Sequence, residues 1–176
     1  SKPMNRRHFI TTVGATALVA NLQSAKGHAN EQKPQLIRDE NAKPGALDWQ
    51  LTRVKVDKDG FRSPAIEGYC SKQSVKAGES IDIFISTNPI REFRLEVFRM
   101  GYYGGAGARK VAEYGSFVGI HQATPTPGEK NIHECQWKKA TTITVPTDWV
   151  SGVYIGRLTT IPQGELDPYW QSYITF

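Results

Sequence analysis

Between residues 51 and 176, short runs that alternate apolar with polar are separated again and again by Gly and Pro turns. Residues 51–56 (Leu51, Val54 and Val56 among polar neighbours) are the first such run, closed by a turn at residues 57–60. Further runs follow at 66–71, 81–86, 93–99, 110–114, 133–145, 153–158 and 169–176, with turn chemistry such as Ala77-Gly78, Asn88-Pro89 and Pro127-Gly128 between them. Nowhere do ten residues combine a 3.6 period with helix caps. The pattern predicts an all-β chain, an immunoglobulin-like antiparallel β-sandwich of about seven strands over residues 46–176, with little helix outside the N-terminal segment.

Within the run at 93–99, Phe93, Leu95 and Val97 share one side while Arg94, Glu96 and Phe98 share the other. That alternation predicts one core face and one mostly wet face. Later, Tyr154 stands two residues after Gly152 at the entry to a strand, a placement resembling the tyrosine corner of such sandwiches. A structural role for Tyr154, its hydroxyl bonding back to the turn, is expected.

The N-terminal residues carry a different signal. Residues 1–29 contain Lys2, Arg6, Arg7 and Lys26 but no acid, leaving 18 of the 22 basic side chains against all 17 acids in the remainder. That near-neutral remainder lacks the basic face of a nucleic-acid binder. Arg6-Arg7, then Phe9, a weakly apolar run to Ala25 and a small-residue cut after Ala29 have the three parts of a twin-arginine signal peptide over 1–29. Its apolar run is too short to span a membrane. The expected mature protein is exported, periplasmic or extracellular, with no stable membrane span after signal removal. Residues 30–45 are polar and read as a loosely attached leader.

Few side chains offer chemistry. Beyond residue 29 the histidines are His121 and His133, and no Gly-x-Ser-x-Gly elbow presents a serine. His133 and Cys135 share a strand face without a further ligand at metal-site spacing, so no metal site is expected. The acidic turn at 57–60 has Arg62 where a calcium loop needs Gly. Cys70 and Cys135 are an even pair in an exported chain, so one disulfide and two buried thiols both remain open. The stretch from Gly101 to Lys110 lacks the spacing of a phosphate-binding loop, so its glycines read as turn formers. Tyr102, Tyr103, Gly104, Gly105, Arg109 and Trp149 are the candidate contact residues, with Tyr102, Tyr103, Trp149 and Trp170 also candidates for an aromatic stacking platform.

Several stretches together resemble one family. They are Glu40-Asn41, Pro44-Gly45 and Asp48-Trp49, Ile66 to Tyr69, Ser74-Val75 with Ala77-Gly78, Phe98 to Gly107 with Arg109, and Val145-Pro146 with Asp148-Trp149 and Ser151 to Tyr154. The combination is similar to the N-terminal part of proteins like the large (beta) subunit of N,N-dimethylformamidase. Cys70 departs from the small residue expected there. The resemblance implies a hydrolase family acting on formamide C–N bonds, with iron held by tyrosine and carboxylate side chains in a downstream catalytic domain. It implies for this chain an accessory β module with no catalytic residue and no cofactor of its own, packed on that domain or on another subunit. The alternative is a stand-alone extracellular module that binds carbohydrate or cell-surface material.

Overall fold

The computed structural model describes residues 35–58 and 61–176, so Arg6, Arg7, Phe9 and Ala29 of the expected signal lie outside the described residues. A short helix occupies residues 35–41. From Glu40 onward the chain forms one compact unit, built on seven strands: β1 (Glu67–Cys70), β2 (Ser80–Ser86), β3 (Arg91–Met100), β4 (Ala108–Gly119), β5 (Lys139–Thr144), β6 (Tyr154–Thr160) and β7 (Gln171–Thr175). They make two antiparallel sheets, one ordered β1-β2-β5 and the other β4-β3-β6-β7, the all-β sandwich that the turn spacing predicted.

The period-two code explains the core directly. Ile81, Ile83 and Ile85 of β2 are fully buried and face Leu95, Val97 and Phe93 of β3, Leu158 of β6 and Ile174 of β7. Each such side chain removed from water contributes about 1.5–3 kcal/mol. Beyond β4 the chain crosses to the other sheet, where Thr87 N donates to Ile120 O at 3.0 Å and Gln122 N to Ser86 Oγ at 3.0 Å. One open side of the sandwich is thereby tied shut.

Three expectations need correction. Residues 51–56 are not a strand: the segment is held to β7 at one end, through Gln171 N to Arg53 O (2.8 Å) and Thr52 N to Gln171 Oε1 (2.9 Å), and Val54 and Val56 stay exposed. Alternating residues give a strand only where a neighbour's backbone lies alongside to pair with. The second face of β3 is not wet either. Phe98 is fully buried there with Ala108 and Ile155, under Ala46, Trp49, Met100 and Tyr173. The stretch read as a loose leader is part of the sandwich from Glu40, which is 2% exposed.

The cysteines resolve into two free thiols. Cys70 pairs with Ile83 on the inward face of β1, whereas its neighbour Tyr69 pairs with Phe84 on the outward face. Cys135 lies on Tyr69's side, where its carbonyl accepts the Tyr69 hydroxyl at 3.3 Å. The sheet therefore separates the two sulfurs. Burial pushes the Cys70 thiol up to about 11, so it stays protonated at neutral pH. A chromogenic disulfide reagent should titrate the exposed Cys135 in the native protein and both thiols only after unfolding; no reactive thiol in denaturant without reductant would show a bridge.

Candidate structural node at the glycine-rich loop

After β3 the backbone doubles back on itself. Gly101 N donates to Gly107 O at 3.0 Å and Gly105 N to Tyr102 O at 2.8 Å, closing a tight turn over Tyr103–Gly105. Gly104 and Gly105 have φ of 65° and 94°, the left-handed region that glycine enters without a Cβ penalty. Tyr103 also has a positive φ, 42°, which is strained for a bulky residue. The strain has a return: it turns the Tyr103 ring inward, 3% exposed, while Tyr102 points out and is 72% exposed.

The Tyr103 hydroxyl accepts from Arg99 Nη1 at 2.9 Å and donates to Glu40 Oε1 at 3.0 Å. The same Glu40 oxygen accepts from Arg109 Nε (2.8 Å) and Nη2 (2.6 Å), and Oε2 accepts from Lys43 Nζ at 2.7 Å. Next to it, Asn41 Oδ1 accepts the Tyr102 N–H at 3.1 Å. Arg99, itself 4% exposed, reaches across to the turn before β6 and donates to Val150 O (3.3 Å) and Ser151 O (2.8 Å). A Cβ on Gly152 would stand 2.9 Å from Arg99 Nε, so the guanidinium can pass only because this residue is glycine. The Tyr154 hydroxyl donates to Val150 O at 2.5 Å, and the Tyr154 ring stacks on Trp149 with centroids 4.8 Å apart.

Burial alone would raise the Glu40 pKa, but the bonds from Lys43, Arg109 and Tyr103 outweigh it and hold the carboxyl at about 2. Arg109 is moved up from its ordinary value: burial works against its charge, and Glu40 more than compensates. Burial pushes the Tyr154 hydroxyl up to about 12, keeping it a proton donor.

A second ionic cluster lies on the outer face of the four-stranded sheet. Glu96 Oε2 accepts Arg157 Nη2 at 2.8 Å and Oε1 accepts Lys110 Nζ at 2.9 Å. Arg157 also donates to the carbonyls of Asp48 and Gln50 and lies over the Phe98 ring at 5.0 Å. With Tyr173 Oη to Trp49 O (2.6 Å) and Trp49 Nε1 to Ala106 O (2.9 Å), these bonds strap residues 46–50 across the sheet.

Of the contact candidates, Tyr103, Gly104, Gly105 and Arg109 come together at the node, Trp149 lies behind it against Tyr154, and Tyr102 is left exposed. Trp170 is elsewhere, under the Arg53 and Lys55 side chains. Glu40 and Arg99 hold the node together, and neither was among the contact candidates. A signal was present in Arg99, a lone cation between Phe98 and Met100 in a strand, which needs an acceptor wherever it is buried. His133 Nδ1 lies 3.2 Å from Pro125 O, and among the described residues no three His, Cys, Asp or Glu side chains are grouped to hold a metal ion. The tyrosine and carboxylate of the node are bonded to guanidinium and ammonium groups, a donor set that does not suit iron.

Residues 94–176 match the family described as N,N-dimethylformamidase beta subunit-like, C-terminal. The motifs around the node pointed to this dimethylformamidase-like family, although they suggested the N-terminal part of its members, whereas the matching description is of a C-terminal part. The match begins inside β3, so β1 and β2 precede it, yet β2 pairs with β5 and buries three isoleucines against β3, β6 and β7. The folding unit is therefore larger than the matched stretch. No curated protein and no solved structure matches the chain.

Because the folded Glu40 carboxyl titrates at about 2 rather than its ordinary 4.5, its ionised form contributes about 3 kcal/mol of stability above pH 5, lost as pH falls through 2. Glu40→Gln should remove roughly that amount at pH 7 in urea unfolding. The difference from the parent protein should shrink between pH 4.5 and 2, and a difference independent of pH would show that the carboxylate charge is not what matters.

Proposed function

We propose that this sandwich is the accessory, structural module of an exported N,N-dimethylformamidase-like amidohydrolase and carries none of the catalytic residues. The observation behind this reading is the fate of the motif side chains. Glu40, Arg99, Tyr103 and Arg109 spend their hydrogen bonds on one another and on backbone, leaving no unpaired base, nucleophile or metal ligand among them. Groups so committed hold backbone in place. A catalytic group instead needs a polarised, accessible atom within reach of substrate.

On this reading the iron and the bond-breaking step belong to a downstream catalytic domain or another subunit, and the module supports it. The export reading rests on Arg6-Arg7 and Phe9 ahead of the apolar run ending near Ala29. The alternative of a stand-alone module binding carbohydrate or cell-surface material is less favoured. Of the four aromatics proposed as a platform, Tyr103 is buried, Trp149 has one face on Tyr154, and Trp170 lies beneath two cations.

Purified chain incubated with N,N-dimethylformamide and ferrous iron should release no dimethylamine above the buffer rate. Turnover that survives size-exclusion purification and disappears in Tyr103→Phe would place catalysis in this chain and overturn the proposal. Protein recovered from the producing cells should begin at Asn30, as read by N-terminal sequencing, and a start before Arg6 would remove the export step.

A further inference from the structure

Residues 51–56 carry the alternation of a strand, yet neither sheet takes them in. Their contact with β7 ends at Gln171, whose N–H donates to Arg53 O at 2.8 Å and whose side-chain Oε1 accepts the Thr52 N–H at 2.9 Å. Beyond that point Val54, Lys55 and Val56 are exposed, and among the described residues their backbone N–H and C=O groups have no protein partner. An extended stretch of unpaired backbone flanked by exposed valines is a template for another chain to pair with.

The side chains give this edge a charge. Arg53 Cζ lies 5.6 Å from the centroid of the Trp170 ring and 5.7 Å from that of Tyr169, and Lys55 Nζ lies 5.5 Å from the same Trp170 ring. Both cations are thus gathered at one aromatic pair just before β7, and the Tyr169 hydroxyl is itself held 3.0 Å from Thr52 Oγ1. Aromatic faces attract cations without neutralising them. Among the described residues neither Arg53 nor Lys55 has a carboxylate within ion-pair distance, in contrast to Arg62, Arg91, Arg109, Lys110 and Lys139. Two uncompensated cations therefore coincide with an open backbone edge.

We propose that residues 53–56 are a docking edge for an acidic, extended segment of a partner protein, which adds as a strand beside Val54–Val56 and sets alternate carboxylates against Arg53 and Lys55. Residues two apart on an extended chain are about 7 Å apart, so carboxylates at every second position of the partner match the spacing of the two cations. Backbone bonds supply the attachment, and the paired charges select the partner. A second copy of this chain fits poorly, because antiparallel pairing centred on Val54 would place Arg53 opposite Lys55. The inference does not rest on the accessory reading, since recognition needs only an acidic strand, whatever protein carries it.

The test is a titration of the isotope-labelled chain, followed through its amide resonances, with a capped pentapeptide of alternating glutamate and valine. Two comparison peptides separate the contributions: glutamine in place of glutamate removes the charge, and N-methylation throughout removes the backbone donors. The glutamate peptide should shift the Val54, Lys55 and Val56 amides saturably and bind roughly tenfold tighter than the glutamine form, as two cross-strand ion pairs would give. The N-methylated form should not bind. Arg53→Gln combined with Lys55→Gln, both at exposed positions, should leave the rest of the spectrum unchanged and abolish the preference for glutamate over glutamine. No saturable shift at these amides, equal binding of either comparison peptide, or a preference that survives the double substitution would each overturn the proposal. Concentration-dependent shifts of the same amides without peptide would assign the edge to a second copy and overturn it as well.

Discussion

A carboxylate taken out of water must find cations, and Glu40 finds three partners at once. The desolvation penalty of that single buried group is several kcal/mol unless it is paired and hydrogen-bonded. Meeting the requirement draws Lys43 from its own segment, Arg109 from β4 and Tyr103 from the glycine-rich loop to one point. Tyr103 then recruits Arg99 from β3, and Arg99 pins the turn at Val150 and Ser151. The positive φ at Tyr103, the glycines beside it and the absence of a Cβ at residue 152 all follow from bringing these groups within bonding distance. Segments 40–43, 99–109 and 150–154 become one unit without forming a sheet together.

The strand pattern was legible because it depends on local alternation. Ile81, Ile83 and Ile85 announce a buried face, and Gly and Pro mark its ends. What alternation cannot encode is which strand has a neighbour. Residues 51–56 carry the pattern but touch β7 only near Arg53, while the run at 110–114 was read as short and extends as β4 over twelve residues along β3. Nor can alternation show that a sheet's outer face will be covered. Phe98, read as lying on a wet face, is buried because Ala46 and Trp49 fold over it, a contact spanning about fifty residues of sequence.

The node was half legible for a related reason. Glycine spacing and the paired tyrosines singled out the loop, and Tyr154 after Gly152 singled out its turn, because both are local signatures. The loop's partner Glu40 sits in a polar segment whose composition resembles an unattached leader, and only its burial in three dimensions distinguishes it from Glu129 or Glu165 on the surface. Of the motif residues that suggested a family resemblance, Glu40, Asn41, Arg99, Tyr102, Tyr103, Arg109 and Ser151 meet at the node, whereas Ile66 to Tyr69 and Ser74 to Gly78 lie on β1 and before β2. For the members at the node the spread along the sequence has a physical basis: changing one member of a buried ionic set strands the others.

The coverage of the sheets also decides where this module can meet anything else. The outer face of the four-stranded sheet is occupied by residues 46–50, tied down through Arg157, Trp49 and Tyr173. On the three-stranded sheet, Tyr69 stacks on Phe84 and Trp137 of the loop after β4 packs against Tyr69. The long edge of β4 carries two bulges against β3, irregularities that bend an edge away from further pairing. Exposed large apolar side chains are instead scattered over the connections, Ile132 after β4, Val153 before β6 and Leu166 before β7 among them. The ion-pair node fixes the turn before β6 from behind: Arg99 holds the carbonyls of Val150 and Ser151, and Trp149 and Tyr154, which flank that turn, stack on each other.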